Sequence, residues 1–325
     1  MIKDELEIEL TRIMDDVLNI TEGQVVDLKI LTGGASRQTW SFSYGSRSED
    51  RPPRGYVIQL NGVVVSDELI STEKEALLLQ RVAENAIPVP SVIASGVSAK
   101  LGDTSYFITT FIEGETLPAR YLHSDPPLPG VAGLMSQCAK TLAAIHALPL
   151  ENLCLPDYDF LDFYANQLDA SEEAHPVLEW ARRWLVTHRP PQRPPVLVHG
   201  DFRLGNFIVA NEGLRAILDW ELAHFGSPLE DVAWPLVRAW RFDHVRPKGV
   251  FPEREAWIDA YVDASGLSLD NGEVRWWEVA STFKWAIICM NQWQRHYSHA
   301  TRSVELAAIG RRVVESEFDL LRLLA

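Results

Sequence analysis

The chain has 325 residues, of which 46% are hydrophobic and 23% are charged, and its formal net charge is -15 at pH 7. This balance predicts a globular protein that is long enough for two lobes with separate cores. The acidic excess, which no basic block offsets, argues against a nucleic-acid partner. The three cysteines have no metal-ligand spacing, so they indicate neither a disulfide framework nor a zinc site.

The first residues are acidic where a secretory signal peptide would be basic. No apolar run approaches the roughly 20 residues that span a bilayer. We therefore expect a cytoplasmic protein that is neither exported nor embedded in a membrane. Its oligomeric state stays open.

The first third of the chain alternates helical and strand-like periodicity. The predicted elements, in chain order, are a helix at 4–18, strands at 25–31, from Gln38 and at 56–60, a helix at 68–84, and strands at 89–95 and 105–111. This pattern predicts an α+β N-terminal lobe.

A glycine pair separates the first two predicted strands, in the segment Gly33, Gly34, Ala35 and Ser36. Glycines between strands let backbone amides approach a phosphate closely, and the small residues that follow keep the loop open. Turn chemistry alone favours an ordinary hairpin turn here.

The rest of the chain is predominantly helical by periodicity. The predicted helices are 130–148, 174–188, 229–240, 253–264, 273–297 and 303–324. Seven tryptophans lie in the later helices, and we expect most of them in the core. They are Trp234, Trp240, Trp257, Trp276, Trp277, Trp285 and Trp293.

Residues 199 to 219 carry the strongest chemical signal. Asp201 could accept the proton of a substrate hydroxyl, and it stands five residues before Asn206, whose amide oxygen could bind a hard cation. Asp219 follows thirteen residues later as a second oxygen ligand. Strand-like runs flank an Asn-Glu-Gly turn, so a hairpin would bring Asn206 and Asp219 side by side. Mg²⁺ suits such a site, and Glu221 is near enough in sequence to join it.

The run from His199 to Asn206, together with 217–221 and 226–231, resembles the aminoglycoside phosphotransferase and choline kinase family, relatives of the protein kinases. Within that family, the segment 218–226 looks most like the branch with kinase-like domains fused to acyl-CoA dehydrogenases. The resemblance implies a two-lobed protein-kinase-like fold, with an N-terminal nucleotide-binding lobe at 1–113. A larger, mostly helical catalytic and substrate-binding lobe would follow at 114–325.

The same resemblance implies roles for residues of the second lobe. It makes Asp201 the catalytic base, Asn206 and Asp219 the metal ligands, Asp231 a buried brace of the catalytic loop, and His199 a residue that holds this loop. Arg203 stands where protein kinases carry a lysine that reaches the transferred phosphate, and its planar donors suit phosphate oxygens.

In the first lobe, the resemblance implies that the glycine loop covers the phosphates and that backbone groups of Thr110, Phe111 and Ile112 bond the adenine. Kinase-like folds carry a lysine or arginine at the position of Gln59, paired with a helix glutamate that falls at Glu75, with Glu73 one register away. That cation is missing here, so we expect weakened nucleotide affinity. Arg203 is a candidate to compensate. We interpret Arg37, a second candidate, as an ordinary solvated side chain.

These features predict an ATP- and Mg²⁺-dependent transfer of phosphate to a hydroxyl of a small molecule. Arg238 and Arg241, in a basic segment, favour an anionic acceptor such as a hydroxyacid or acyl thioester, and Glu221 is a further candidate substrate residue. A basic surface loop explains the same arginines equally well. The alternatives are an aminoglycoside- or choline-type kinase, a catalytically weak nucleotide-binding regulator, and a metal-dependent hydrolase.

Overall fold

The structure is a computed structural model that describes residues 3–31, 37–46, 52–61, 69–123, 128–171, 173–241, 253–298 and 303–325. Contacts group the chain into two compact units. The first comprises Met1–Leu134, Glu151–Leu155 and Asn206–Ala223, and the second comprises Met135–Leu150, Pro156–Gly205 and His224–Ala325. No helix within the described ranges is both long and apolar enough to cross a membrane.

The first unit is built on a five-stranded antiparallel sheet with the strand order β1-β2-β3-β5-β4. Its elements are α1 (Lys3–Leu18), β1 (Gly23–Leu31), β2 (Gln38–Ser46), β3 (Arg54–Leu60), α2 (Thr72–Glu84), β4 (Val92–Ser98) and β5 (Thr104–Thr110). Buried positions alternate along β3, as expected for a strand with one face in a core. Apolar residues of α1, including Leu6, Leu10 and Met14, share a core cluster with Phe42 and Ile58 of the sheet.

Helix α2 begins later than the sequence pattern predicts. Its first residue is Thr72, and the hydroxyl of Ser71 caps it by accepting a hydrogen bond from the amide of Lys74 at 3.3 Å. A serine side chain satisfies an amide that has no partner within the helix, so the helix starts at this cap. The predicted start at Glu68 lies outside the described residues.

A β-hairpin in the first unit confirms the strand pattern read after the Asp201 segment. Strands β7 (Phe207–Ala210) and β8 (Gly213–Ile217) pair antiparallel, with Phe207 opposite Ile217. The described part of this unit also contains the short helix α3 (Pro118–His123), in a stretch that the sequence marks only as proline-rich.

The second unit is mostly helical, as predicted. Its helices are α4 (Leu134–His146, whose first residue belongs to the first unit), α5 (Phe160–Asp169), α6 (Pro176–Thr187), α7 (Pro228–Ala233), α8 (Arg254–Ser265), α9 (Asn271–Tyr297), α10 (Val304–Gly310) and α11 (Val313–Leu324). The strands β6 (Val196–Val198) and β9 (His224–Gly226) pair antiparallel. The 27-residue helix α9 contributes residues to the core cluster along most of its length, as do α5, α6 and α11.

Two helix predictions need correction in this unit, and one helix was not predicted. The predicted helix 229–240 ends at Ala233 and continues as two 3-10 turns, because Pro235 cannot donate a helical hydrogen bond. The predicted helix 303–324 is divided into α10 and α11. Helix α5, capped by the carboxylate of Asp159, was not expected.

Candidate active site

The Asp201 loop, residues 199–205, follows strand β6 in the second unit. Asp201 is buried, with 8% of its surface exposed. His199 is fully buried, and its Nδ1 accepts a hydrogen bond of 3.1 Å from the backbone amide of Asp201. The imidazole is therefore engaged in holding the loop.

Asp231, at the first turn of α7, lies against the backbone of this loop. Its Oδ2 accepts a 2.7 Å hydrogen bond from the amide of His199, and its Oδ1 accepts one of 3.0 Å from the amide of Gly200. His146 Nε2 lies 3.3 Å from the same Oδ2, and His146 Nδ1 lies 2.7 Å from the hydroxyl of Tyr261. Burial alone would raise the pKa of Asp231, but these hydrogen bonds and the histidine charges outweigh it and lower the pKa.

A second buried group holds the carbonyl of the same loop. Lys284, in the middle of α9, donates to the carbonyl oxygen of Gly200 at 2.9 Å and to Oε1 of Glu230 at 3.0 Å. His224 Nε2 lies 3.0 Å from Oε2 of Glu230. Burial would raise the pKa of Glu230, yet the charges of His224 and Lys284 leave it lowered. Gly200 has φ of 84°, a left-handed conformation in which an L side chain would be strained.

The carboxylate of Asp201 is oriented by two donors. Its Oδ1 accepts hydrogen bonds from the indole of Trp234 at 2.6 Å and from Nε of Arg203 at 2.8 Å. The Arg203 guanidinium lies 4.2 Å from the ring centroid of Trp240, in a cation–π arrangement. A Cβ at Gly205 would collide with Nη1 of Arg203, so glycine leaves room for this arginine.

The two candidate metal ligands lie in the first unit, both at the open end of the β7–β8 hairpin. Asn206 directly precedes β7, and Asp219 follows β8. The amide of Leu218 donates to the carbonyl oxygen of Asn206 at 2.8 Å, which extends the hairpin by one pair beyond Phe207 and Ile217. Asp219 follows directly, with φ of 68° in the left-handed region. An amide and a carboxylate from adjacent chain segments fit the oxygen ligation that Mg²⁺ prefers. Within the described ranges, no group of three or more His, Cys, Asp and Glu side chains is arranged to hold a metal ion.

The interpretation of Arg37 as a solvated side chain is wrong. Its side chain is only 6% exposed and forms an ion pair with Glu75 of α2, whose side chain is 2% exposed. Its Nη2 donates to the carbonyl of Ile70 at 3.0 Å, and its Nε lies 3.5 Å from Glu221. The helix glutamate therefore has a cationic partner, although position 59 on β3 carries none.

The segment expected to bond adenine follows strand β5. The amide of Thr110 donates to the carbonyl of Ser91, and that of Phe111 donates to the carbonyl of Gly55, both at 2.9 Å. These two amides therefore already donate within the sheet. Of the three residues predicted to bond adenine, only Ile112 keeps its backbone amide as a candidate donor. Thr109, the residue before Thr110 on β5, is buried.

The remaining predicted site residues are those of the glycine loop and of the basic segment. Gly33, Gly34, Ala35 and Ser36 lie outside the described residues, as do residues 242–250 of the basic segment. Arg238 is 53% exposed and lies 3.4 Å from Asp319, and Arg241 donates to the carbonyl of Leu236 at 3.1 Å. Both therefore have partners within the second unit.

Sequence reasoning missed the residues that support the Asp201 loop from a distance. Lys284, Glu230, His146 and Trp234 were not proposed as parts of the site. Lys284 offered one usable signal, because it is a single cation in the apolar run of α9 between Phe283 and Trp285. A lysine in such a run needs a buried acceptor, but the sequence does not say which one.

The sequence profile described as the phosphotransferase enzyme family, APH, matches residues 27–277. The chain belongs to this family. Mouse acyl-CoA dehydrogenase family member 10 is 26% identical over 276 residues, which cover 76% of this chain and 25% of that protein. The chain thus spans about a quarter of the length of this relative. The family and branch predicted from the motifs are confirmed.

Two crystal structures show the same fold. A candidate aminoglycoside phosphotransferase from Ralstonia eutropha aligns over 99% of this chain and 98% of its own, with a TM-score of 0.72 and 18% identity. A thermostable mutant of aminoglycoside phosphotransferase APH(4)-Ia, in a ternary complex with AMP-PNP and hygromycin B, aligns over 97% and 98%, with a TM-score of 0.66 and 17% identity. The predicted two-lobed, protein-kinase-like α+β fold is confirmed, and the family supports a phosphotransferase of small molecules.

Proposed function

We propose that this protein acts in the cytoplasm and transfers the γ-phosphate of ATP, with Mg²⁺, to a hydroxyl group of a small molecule. The observation that carries this proposal is the construction of the Asp201 loop. The carboxylate is buried and oriented by Trp234 and Arg203, while Asp231 and Lys284 hold the backbone on either side of Gly200. A base held in one geometry can accept a proton from a hydroxyl with little reorganisation.

The proposed roles divide the chemistry among a few residues. Asp201 accepts the proton of the acceptor hydroxyl, and Arg203 provides guanidinium donors for the transferred phosphate. Asn206 and Asp219 hold Mg²⁺, which supplies neutralisation of the phosphate charge when it is bound. The glycine loop at 33–36 contacts the phosphates, and the segment from Thr110 to Ile112 contacts the adenine, with the amide of Ile112 as its backbone donor.

For the acceptor, we propose a hydroxyacid or its acyl thioester. The guanidinium of Arg203 lies over the ring of Trp240 and donates to the proposed base, and Arg241 follows Trp240 directly in sequence. Cationic groups at this position would attract a carboxylate or phosphate and would repel a polyamine. The name of the mouse relative, which concerns acyl-CoA, is compatible with such an acceptor.

The first experiment tests the reaction class. Thermal stability is measured with ATP, with and without Mg²⁺, and phosphate transfer is then measured on a panel of hydroxylated metabolites. Mg²⁺-dependent stabilisation by ATP together with phosphorylation of an acceptor supports the proposal. Stabilisation without any transfer would favour a nucleotide-binding regulator, and hydrolysis of metabolites without nucleotide would favour a metal-dependent hydrolase.

The second experiment tests the acceptor class. The value of kcat/KM is compared for kanamycin, choline, hydroxyacids and their CoA esters in wild type and in Arg241→Ala. Arg275→Ala is a matched control, because Arg275 also donates to a backbone carbonyl in the second unit, that of Leu323. Efficient phosphorylation of kanamycin or choline that is unaffected by Arg241→Ala would contradict the acidic acceptor while leaving the kinase reaction intact.

A further inference from the structure

Arg37 is a buried cation that joins three segments of the first unit. It immediately precedes β2, and its guanidinium contacts a carboxylate on α2, the carbonyl of Ile70 before that helix, and Glu221 just after Asp219. The amide of Ile70 also donates to the carbonyl of Glu221 at 2.8 Å, so the segment before α2 and the turn after Asp219 are already linked. A planar guanidinium with five donors suits such a junction.

The register of the sheet explains how Arg37 can stand in for the cation that is missing from β3. Thr39 of β2 lies opposite Gln59 of β3. Alternate residues of a strand point to the same face, and continuing this alternation two residues back from Thr39 places Arg37 on the face of Gln59. Diagonal neighbours of this kind are about 7–8 Å apart, within reach of a long side chain. The cation is therefore supplied by the residue that precedes the neighbouring strand β2.

The charge balance around Arg37 indicates what it does. Burial lowers the pKa of Arg37, and the charges of Glu221 and Asp219 oppose that effect. A guanidinium keeps its proton in proteins, so Arg37 is a permanent positive charge that interacts with the proposed metal ligand Asp219. Without Arg37, the negative charges of Glu75, Glu221 and Asp219 would not be balanced by its guanidinium. Their combined charge would repel a polyphosphate.

We propose that Arg37 is the positioning residue of the nucleotide site, and that it permits phosphate binding by neutralising Glu75 and Glu221 beside Asp219. This inference rests on the proposed function and deepens it. Arg37 raises the affinity for the phosphates of the nucleotide and leaves the affinity for the nucleoside unchanged.

The test compares ligands that differ only in their phosphates. Calorimetric titrations with adenosine, ADP and ATP, in the presence of Mg²⁺, are made on wild type and on Arg37→Gln. We expect Arg37→Gln to weaken ATP binding by about tenfold or more, ADP less, and adenosine by less than about twofold, because only charge-assisted interactions are lost. The matched control is Arg81→Gln, since Arg81 of α2 has a side chain that is 42% exposed and pairs with Glu84. It should leave all three affinities unchanged.

A second variant guards against misfolding. Arg37→Gln leaves Glu75 buried without its cation, whereas the double variant Arg37→Gln with Glu75→Gln removes both members of the pair. The double variant should fold and should still bind ATP at least about fivefold more weakly than wild type, since Glu221 and Asp219 keep their charges. An equal loss for adenosine, ADP and ATP, or no loss for ATP in either variant, would overturn the role of Arg37. Failure of the wild type to bind any nucleotide would instead overturn the proposed function, and this inference with it.

Discussion

The two units hold their proposed chemical groups in different ways. In the second unit, the Asp201 loop is fixed by separate contacts from α7 and α9, and each supporting side chain has further buried partners of its own. In the first unit, one guanidinium, that of Arg37, joins α2 to the turn after Asp219. The proposed base is therefore held by several side chains, whereas in the first unit one side chain, that of Arg37, supplies the positive charge for Glu75 and Glu221.

The largest effect is expected from Asp201→Asn. Removing a positioned base should lower kcat by about 10² to 10⁴, while ATP affinity stays within about twofold, because the oxygen that accepts from Trp234 and Arg203 is retained. Steady-state kinetics and calorimetry measure the two quantities. Asp259→Asn, at an exposed position of α8, is the control. Undiminished turnover in Asp201→Asn would remove Asp201 from its proposed role.

The support of the loop can be broken at Asp231. Asp231→Asn replaces an oxygen that accepts a backbone amide with an NH₂ group that cannot, and leaves buried His146 without its carboxylate. We expect a loss of about 3–5 kcal/mol in the free energy of unfolding, measured with urea. The exposed Asp263→Asn should cost less than about 0.5 kcal/mol. A small loss at Asp231 would mean that the other contacts suffice to hold the loop.

The same network predicts the response of stability to acid. The pKa values of Glu230 and Asp231 are lowered from 4.5 and 3.8, so the folded state binds fewer protons than the unfolded state in this range. Their stabilising contribution is complete above pH 4.5 and is lost as the pH falls through 4.5 and 3.8 towards the lowered values. Urea titrations between pH 6 and pH 3 should show this loss. The slope below pH 4 should be shallower in Asp231→Asn, and an unchanged slope would exclude Asp231 as a contributor.

A moderate effect is expected from Asp219→Asn in the first unit. Asparagine tolerates the left-handed backbone at this position, so the change removes charge and leaves the turn intact. The Mg²⁺ concentration needed for half-maximal activity should rise by about tenfold. Asp103→Asn is a matched control, since Asp103 also has a positive φ, of 55°. An unchanged Mg²⁺ titration would contradict the assignment of Asp219 as a metal ligand.

The smallest effect is expected from Gln59→Lys, which tests whether Arg37 fills the role of the missing cation. The missing cation on β3 would by itself predict that a lysine here tightens ATP binding. Because Glu75 already pairs with Arg37, we expect a gain of less than about threefold in the wild-type background. The gain should be larger when Arg37 is replaced by glutamine. Calorimetry with ATP measures both, and a large gain in the wild type would mean that Arg37 does not fill the role of the missing cation.

The sequence predicted those parts of the fold that depend on local patterns. The sheet, the β7–β8 hairpin and most helices follow from periodicity and turn residues within short windows. Pro235 carried the signal that α7 must end early, although our helix prediction ran through it. The position of Pro235 in the sequence was sufficient to predict this helix end.

The contacts that join distant segments could not be predicted in the same way. Arg37 meets Glu75 and Glu221, and Lys284 meets Gly200 and Glu230, across separations that no periodicity encodes. A buried cation requires a partner, but many carboxylates in an acidic chain satisfy that requirement equally well before the fold is known. The sequence therefore indicated the proposed base, the metal ligands and the nearby Asp231 and His199, but not the contacts that Arg37 and Lys284 make with distant segments.

The contact between Lys284 and the carbonyl of Gly200 has a consequence for synthesis of the chain. Lys284 is added 83 residues after Asp201, which corresponds to about 4–17 s at cellular elongation rates of about 5–20 residues per second. During that interval the Asp201 loop has left, or is leaving, the ribosome without its partner from α9. The loop therefore acquires its final support only after the first half of α9, through Lys284, has been made, and a nascent chain that stalls earlier carries the proposed base on an incompletely supported loop.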